Sequence, residues 1–137
     1  KTELEALDQA DLIVIGGGGD IKKGWELMEE NGIKDKIQWR FWSLETILVA
    51  VSTACTQIGK KGWAADETEY LFKTFDIIDN IIETNGGPTW HHLEEIIKNC
   101  GIGRETGLGI PQGGAAVYGA DNKFEFLYQP AVEITFN

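Results

Sequence analysis

The sequence predicts an α/β fold, with a mainly parallel three-layer sheet flanked by helices and antiparallel β-strands at the C-terminus. In the first half of the chain, short β-branched apolar runs alternate with segments of helical periodicity, which is typical of parallel βα units. The last third alternates short strand-like runs with turns, which is typical of antiparallel strands. The chain has 137 residues, the size of one domain, so we expect a single domain over 1–137.

The elements of the first half follow from apolar periodicity and from residues that begin or end helices. The two predicted strands are continuous apolar runs, which indicates burial on both faces. Asp20 is a helix-capping residue type, and Asn31-Gly32 suits a helix end. In order, we predict a helix ending before Asp11, a strand over 12–15, a helix from Asp20 to Asn31, a helix over 33–42, a strand over 47–51 and a helix start near Ser52.

The second half reads as two more helices among short strands. The segment 90–98 is amphipathic, with Trp90, Leu93, Ile96 and Ile97 predicted to face inward and charged residues outward. In order, we predict a helix over 67–75, a strand over 77–82, a turn over 85–88, the helix over 90–98 ended by Gly101, and strands over 108–110, 115–118, 124–128 and 132–136.

Composition excludes several classes of function. The formal net charge of -10, with no basic run, argues against nucleic acid or an anionic membrane as a partner. Cys55 and Cys100 lie far apart and outside any CxxC spacing, so we expect neither a disulfide framework nor a zinc site. No apolar run reaches transmembrane length, and we predict a cytoplasmic protein with no metal and no cofactor.

The glycine run Gly16 to Gly19 directly follows the first predicted strand. Glycines at such a position let backbone N–H groups approach a ligand closely. The run is not a P-loop, because no Gly-Lys-Ser/Thr follows, and it is not a dinucleotide fingerprint, because Ile21 stands where the third glycine belongs. A plain βα turn without a ligand explains the pattern equally well.

Ser52 follows the second predicted strand and has small residues around it, as a nucleophile elbow requires. The GxSxG pattern is present only as Ala50-Val51-Ser52-Thr53-Ala54, so a serine N-cap is the stronger local alternative. His91 and His92 are adjacent on a predicted helix and point roughly 100° apart, so they cannot share a metal on one face. A solvated helix face is the simpler interpretation of the two histidines.

Taken in order, four segments resemble the serine-peptidase family of dipeptidase E and cyanophycinase, which has a class I glutamine-amidotransferase-like fold. The family shows an Ala-Asp strand before a Gly-Gly-Gly turn, a Gly-x-Ser-Ala-Gly elbow, an Asp-x-His strand end and a Gly-x-Gly-Ile-Asp-Glu strand. The matching segments here are Ala10-Asp11 to Asp20, Ala50 to Cys55, Glu83-Thr84-Asn85, and Gly107 to Gln112 followed by Ala115 to Tyr118.

The resemblance implies a role for each matching residue. Ser52 falls on the nucleophile position, while Gly17, Gly18, Gly19 and Thr53 fall in the ligand and oxyanion region. Asn85 replaces the family's general base, and Gln112 replaces the acidic residue that orients the base. An amide cannot take a proton from a serine hydroxyl near neutral pH. His91 or His92 is the candidate substitute base.

We therefore expect a catalytically degenerate peptidase-like protein that acts as a small-ligand-binding or oligomeric module, with a small polar or peptide-like ligand. An active serine hydrolase on small peptides or amides, using Ser52, is the alternative, and a structural module without a ligand is a second one. The resemblance also implies that the family's first strand–helix portion is lacking. An uncovered sheet edge predicts a homo-oligomer or a partner chain.

Overall fold

The computed structural model describes residues 3–64, 71–100 and 105–136. These residues form a mixed α/β arrangement of five helices and nine strands. In chain order the elements are α1 (Glu3–Leu7), β1 (Leu12–Ile15), α2 (Ile21–Glu30), α3 (Ile33–Trp42), β2 (Ile47–Ala50), α4 (Ala54–Ile58), β3 (Lys61–Trp63), β4 (Leu71–Lys73), β5 (Ile81–Thr84), α5 (His91–Asn99), β6 (Thr106–Ile110), β7 (Ala115–Tyr118), β8 (Phe124–Leu127) and β9 (Val132–Thr135).

The helices of the first half form where the sequence predicts them. The Asp20 carboxylate caps α2 by accepting a hydrogen bond from the Lys23 backbone N–H at 3.0 Å. Gly32, at φ 72°, joins α2 to α3 in the left-handed region that glycine adopts without strain. Trp25 of α2 and Ile37 of α3 are buried in one apolar cluster with Ile13 of β1.

The strands β1 and β2 pair in parallel, with Leu12 opposite Ile47 and Ile15 opposite Ala50. The prediction that both are buried on two faces is wrong, because Leu12 is 54% exposed and Val14 is 58% exposed. The helices pack on the other face, where Ile13 joins their apolar cluster. An apolar run indicates a strand, but burial of its second face requires a second layer that the described residues do not supply.

The described strands form four small hydrogen-bonded sheets rather than the predicted continuous parallel sheet. β1 pairs with β2, and β5 pairs with β6, each in parallel. β9 adds to β6 in antiparallel orientation, and β7 pairs with β8 in the same way, which confirms antiparallel strands at the C-terminus. β3 and β4 form a further antiparallel pair.

Two predictions between residues 67 and 82 are wrong where the structure describes them. The predicted helix over 67–75 lies partly outside the described residues, and its described part contains β4, whose Leu71 pairs with Trp63. The strand predicted over 77–82 begins only at Ile81. Ile77 and Ile78 are buried but lie outside any strand. The apolar residues of this segment therefore indicate burial, and they do not indicate strand pairing.

The amphipathic helix predicted over 90–98 is α5, and its apolar side is confirmed. Leu93, Ile96 and Ile97 are fully buried in a second apolar cluster with Ile81 of β5. The predicted end at Gly101 lies outside the described residues, and α5 itself ends at Asn99. Among the residues that the structure describes, no helix has both the length and the apolarity needed to cross a membrane.

Candidate functional site

Three of the predicted site residues line one cavity of about 730 Å³. Ser52 lies two residues after the end of β2, Asn85 directly follows β5, and Gln112 lies two residues after β6. Ligands of α/β proteins commonly bind at the carboxyl ends of strands, where loops of different elements meet. The fold therefore places Ser52, Asn85 and Gln112 along the wall of one cavity.

Ser52 has a positive φ at a strand-to-helix turn, a feature that a nucleophile elbow also has. Its φ is 58°, which a non-glycine residue adopts only at a cost, and α4 begins two residues later at Ala54. Gly17 packs against this turn, because a Cβ built there would lie 2.7 Å from the Ser52 Cβ and 2.8 Å from the Val51 carbonyl oxygen. The alternative of a serine N-cap is wrong, since Thr53 occupies the N-cap position of α4.

The glycine loop is held to the elbow by Thr53. The Thr53 hydroxyl accepts a hydrogen bond from the Gly18 N–H at 2.9 Å and donates one to the Gly18 carbonyl at 2.6 Å. The Gly18 amide is therefore engaged by Thr53 in this structure. Gly17 stays next to Ser52, whereas Gly19 lines a separate pocket.

Asn85 and Gln112 contribute neutral hydrogen-bonding groups to the cavity. Asn85 has a φ of 58°, a left-handed conformation that asparagine tolerates, and its N–H donates to the Ile110 carbonyl at 3.2 Å. Gln112 lies in a turn closed by the hydrogen bond from the Gly114 N–H to the Pro111 carbonyl at 2.9 Å. Each side-chain amide offers a donor and an acceptor but no basic group near neutral pH.

The two histidines lie apart from the residues that line this cavity. The His91 side chain is 73% exposed, and its Nε2 is 3.6 Å from Glu95 Oε1 one turn along α5. His92 Nδ1 contacts Glu83 Oε2 of β5, and the His92 ring lies edge-on to Trp63 at 5.4 Å between centroids. Both histidines therefore have a carboxylate neighbour, but only the partner of His92 is mostly buried.

Glu83 is a functional candidate that sequence reasoning missed. Its side chain is only 10% exposed, and within the described residues its Oε1 has no hydrogen-bond partner. The sequence feature that could have indicated it is an acidic residue directly after Ile81 and Ile82 in an apolar segment. Buried acids are rare unless they are paired, so such a residue predicts a partner. Its partner could not be read from sequence, since His92 reaches it from the start of another element.

A second, smaller pocket of about 260 Å³ adjoins this carboxylate. Thr84 lines both this pocket and the large cavity, so the two are neighbours at the end of β5. The Thr56 hydroxyl in this pocket is already engaged, because it donates to the Ile82 carbonyl at 2.6 Å. The residues that line it are Gly19, Ile21, Thr53, Thr56, Trp63, Glu83 and Thr84.

Cys55, in the first turn of α4, is a poor candidate for a reactive thiol. Burial raises the pKa of the Cys55 thiol, and its Sγ lies 3.4 Å from the Ala50 carbonyl oxygen. A raised pKa leaves less thiolate at neutral pH, and the thiolate is the reactive form. Burial also raises the pKa of Cys100. Among the described residues, no group of three or more His, Cys, Asp or Glu side chains is placed to hold a metal ion.

Comparison with known proteins adds no family to this description. No family model matches the chain, and no curated protein matches it significantly. The resemblance to the dipeptidase E and cyanophycinase family therefore rests on the four segments described above and on their order along the chain.

Proposed function

We propose that this chain is a catalytically degenerate relative of the dipeptidase E and cyanophycinase family that binds a small ligand in the large cavity. The observation that carries the proposal is that Ser52, Asn85 and Gln112, from the ends of three different strands, line the same cavity. Its volume of about 730 Å³ is typical of small-molecule sites. The ligand would meet a serine hydroxyl and two carboxamides in the cavity wall.

Binding is favoured over turnover because the cavity lacks a base among its described lining residues. A serine hydroxyl is a weak nucleophile at its ordinary pKa and requires a neighbouring base. Loss of members of such a catalytic group lowers rates by several orders of magnitude. The Asn85 and Gln112 side chains can still form hydrogen bonds with a ligand. They cannot take up a proton as the family's catalytic residues do.

The test combines a covalent probe with a binding screen. Intact-mass analysis after exposure to a fluorophosphonate is expected to show no adduct on the folded chain, and the Ser52→Ala variant serves as the blank. A screen of small neutral fragments by amide NMR is expected to shift the resonances of Ser52, Asn85 and Gln112. Either an adduct on Ser52 or a screen without shifts at these residues would contradict the proposal.

An active serine hydrolase is the second candidate, and two observations favour it. Ser52 retains the strained φ of an elbow, and the contact of Glu83 with His92 Nδ1 is the arrangement that orients a catalytic imidazole. This function predicts a fluorophosphonate adduct on the parent chain that the Ser52→Ala and His92→Ala variants both lose. Retention of the adduct in the His92→Ala variant would remove His92 as the base.

We also propose that the chain associates with a second copy of itself, or with a partner chain, through the outer face of the β1–β2 pair. Parallel strands are rarely left open to water, and this face is formed by apolar residues. Light scattering is expected to show a dimer or a larger species. The Val14→Lys substitution is expected to make the chain monomeric. Leu27→Lys, at an exposed position of α2, is the matched control. A monomer at all concentrations would overturn this part. The residues of the outer face are Leu12, Val14, Ile47, Val49 and Val51, and the last three also border the large cavity.

A further inference from the structure

No Asp, Glu, Lys, Arg or His is among the described residues that line the large cavity, although a quarter of the chain is charged. Aliphatic and aromatic side chains make up most of its wall, and Leu48, Ile82, Leu108 and Phe124 are examples from four different strands. A wall of this kind offers a charged ligand no counter-ion. A ligand that carried a charge into it would lose water without gaining a counter-ion.

Three neutral polar side chains of the cavity wall follow strand ends and are exposed to solvent. Ser52, Asn85 and Gln112 follow the carboxyl ends of β2, β5 and β6, and Thr84 is the last residue of β5. Hydroxyl and carboxamide groups both donate and accept hydrogen bonds without carrying charge. The Tyr118 hydroxyl, by contrast, is engaged by donating to Asn122 Oδ1 at 3.2 Å. The cavity therefore has an apolar wall and neutral hydrogen-bonding groups at the strand ends.

Among the described strands β2 is paired on one edge only, and its other edge adds further neutral groups along the cavity wall. The N–H groups of Ile47 and Val51 donate to the Asp11 and Ile15 carbonyls on the β1 side, at 2.9 and 3.0 Å. Successive residues of a strand turn their backbone groups to opposite edges. Leu48 and Ala50 therefore turn their N–H groups away from β1, and both residues line the cavity. Backbone donors beside an apolar wall favour a ligand with a neutral acceptor.

We propose that the cavity binds an uncharged amphiphile, with a hydrocarbon body and a single amide, ester or alcohol head. The body lies against the apolar wall, and the head lies at Ser52, Asn85 and Gln112. This inference rests on the proposed binding function and narrows it. A free dipeptide, which carries two charges at neutral pH, is not a ligand of this site, in contrast to the small polar or peptide-like ligand that the resemblance implies.

The test uses three probes of equal chain length and different charge. Octanamide is neutral, octanoate is anionic and octylammonium is cationic at pH 7.5. Titration followed by amide NMR is expected to give octanamide a lower Kd than either ion, because Ser52, Asn85 and Gln112 offer the head hydrogen bonds but no counter-ion. Lengthening the amide by one methylene is expected to lower the Kd roughly fourfold, which is the fold-change that burial of one CH₂ group produces.

A pair of variants locates the binding site. Ala116→Phe adds a ring to a residue that lines the cavity and is expected to raise the octanamide Kd at least about tenfold. Val132→Phe, on β9 and away from this lining, is expected to leave it unchanged. If Ala116→Phe fails to fold, the shift map of the unmodified chain decides the question. Octanamide shifts confined to residues outside the cavity would overturn the proposal.

The remaining outcomes separate this inference from the function on which it rests. Equal or tighter binding of either ion would overturn the amphiphile assignment while leaving a binding site in place. Preferential binding of a capped apolar tripeptide, acetyl-Val-Ile-Val-amide, would overturn it in favour of a slot for an extended peptide. If neither the probes nor the fragment screen shift any cavity residue, both the inference and the proposed function fail.

Discussion

At the scale of single residues, the φ of 58° at Ser52 has an energetic consequence. A left-handed conformation costs a non-glycine residue roughly 1–2 kcal/mol, and glycine adopts it without that cost. We therefore expect Ser52→Gly to raise the free energy of unfolding by about 1 kcal/mol, measured by urea denaturation. Such a gain would identify the elbow as a strained site that is retained for function.

The control for this prediction is Ser43→Gly, because Ser43 has a right-handed φ of -78° at the end of α3. Glycine there removes no strain and adds backbone entropy to the unfolded chain, so we expect a loss of up to about 1 kcal/mol. If both glycine variants destabilise the chain by the same amount, the conformation of Ser52 carries no strain.

The contact between Glu83 and His92 predicts unequal roles for the two neighbouring histidines. His92→Ala leaves a mostly buried carboxylate without its hydrogen-bond partner, which costs about 2 kcal/mol. His91→Ala removes an exposed side chain and is expected to change stability by less than about 0.5 kcal/mol. Urea denaturation of the two variants side by side checks the difference. Equal effects would show that the Glu83 contact contributes nothing to stability.

The sequence predicted the gathering of Ser52, Asn85 and Gln112 better than it predicted their surroundings. Only the resemblance assigned these three residues to one site, and all three line the same cavity. The engagement of the Gly18 amide by Thr53 depends on a side-chain rotamer, and the pairing of Glu83 with His92 depends on how α5 packs on β5. Neither is encoded by the local spacing of residues.

At the scale of elements, α3 is fixed to the chain on both sides by Arg40. The Arg40 side chain is almost fully buried, and its Nη2 donates to the Ala10 carbonyl at 2.5 Å and to the Glu45 carbonyl at 3.3 Å. Its Nη1 contacts Glu45 Oε2. The guanidinium thereby links the end of α3 to the residues before β1 and before β2. A lysine ammonium cannot reproduce this divergent set of hydrogen bonds.

We accordingly expect Arg40→Lys to lower the free energy of unfolding by about 2 kcal/mol, since hydrogen bonds to charged groups contribute roughly 1.5–3 kcal/mol each. The reverse exchange, Lys36→Arg, affects an exposed ion pair with Asp8 and is expected to be nearly neutral. Thermal or urea denaturation measures both. If Arg40→Lys leaves the free energy of unfolding unchanged, the positive charge alone, and not the guanidinium geometry, holds α3.

The elements themselves were largely predictable, whereas their partners were not. Periodicity located α2 and α5, because each has one apolar side, and it located α3 from the spacing of Ile37 and Phe41 although Trp39 and Trp42 are exposed there. It failed at Ile77 and Ile78, since β-branched apolar residues suit a buried loop as well as a strand. It also could not show that β2 and β5 lie in separate sheets, because pairing depends on contacts between residues far apart in sequence.

At the scale of the whole molecule, the ion pairs of Lys60 link the residues before β3 to those before β5 and before β6. Its Nζ lies 3.0 Å from both Asp79 Oδ1 and Glu105 Oε2, ahead of β5 and β6. Hydrogen bonding to Asp79, and then to Glu105, raises the pKa of Lys60 above the usual range for a lysine. The protonated form therefore stabilises the fold. This contribution is complete below the unfolded-state pKa of about 10.4 and is lost as pH rises from there through the higher folded-state pKa.

We therefore expect the free energy of unfolding to fall as pH rises above about 10.4, and to fall less steeply in a Lys60→Met variant. That variant is also expected to be about 1 kcal/mol less stable at pH 8, because Glu105 loses one of its partners. Lys23→Met, at an exposed position, should leave the pH dependence as in the parent. Urea denaturation between pH 8 and 11.5 makes the comparison, and identical slopes for parent and Lys60→Met would contradict the assignment.

β6 lies between β5 and β9 and is hydrogen-bonded on both edges. Its backbone amides should therefore exchange with solvent at a different rate from those of strands paired on one edge. Protons of β6 amides exchange with solvent only when paired strands separate, so deuterium should enter there last. The outward amides of Leu48 and Ala50 need no separation of strands, and deuterium should enter them early. A ligand that occupies the cavity would slow exchange at these two residues first, which gives a kinetic signal of occupancy that does not depend on knowing the ligand.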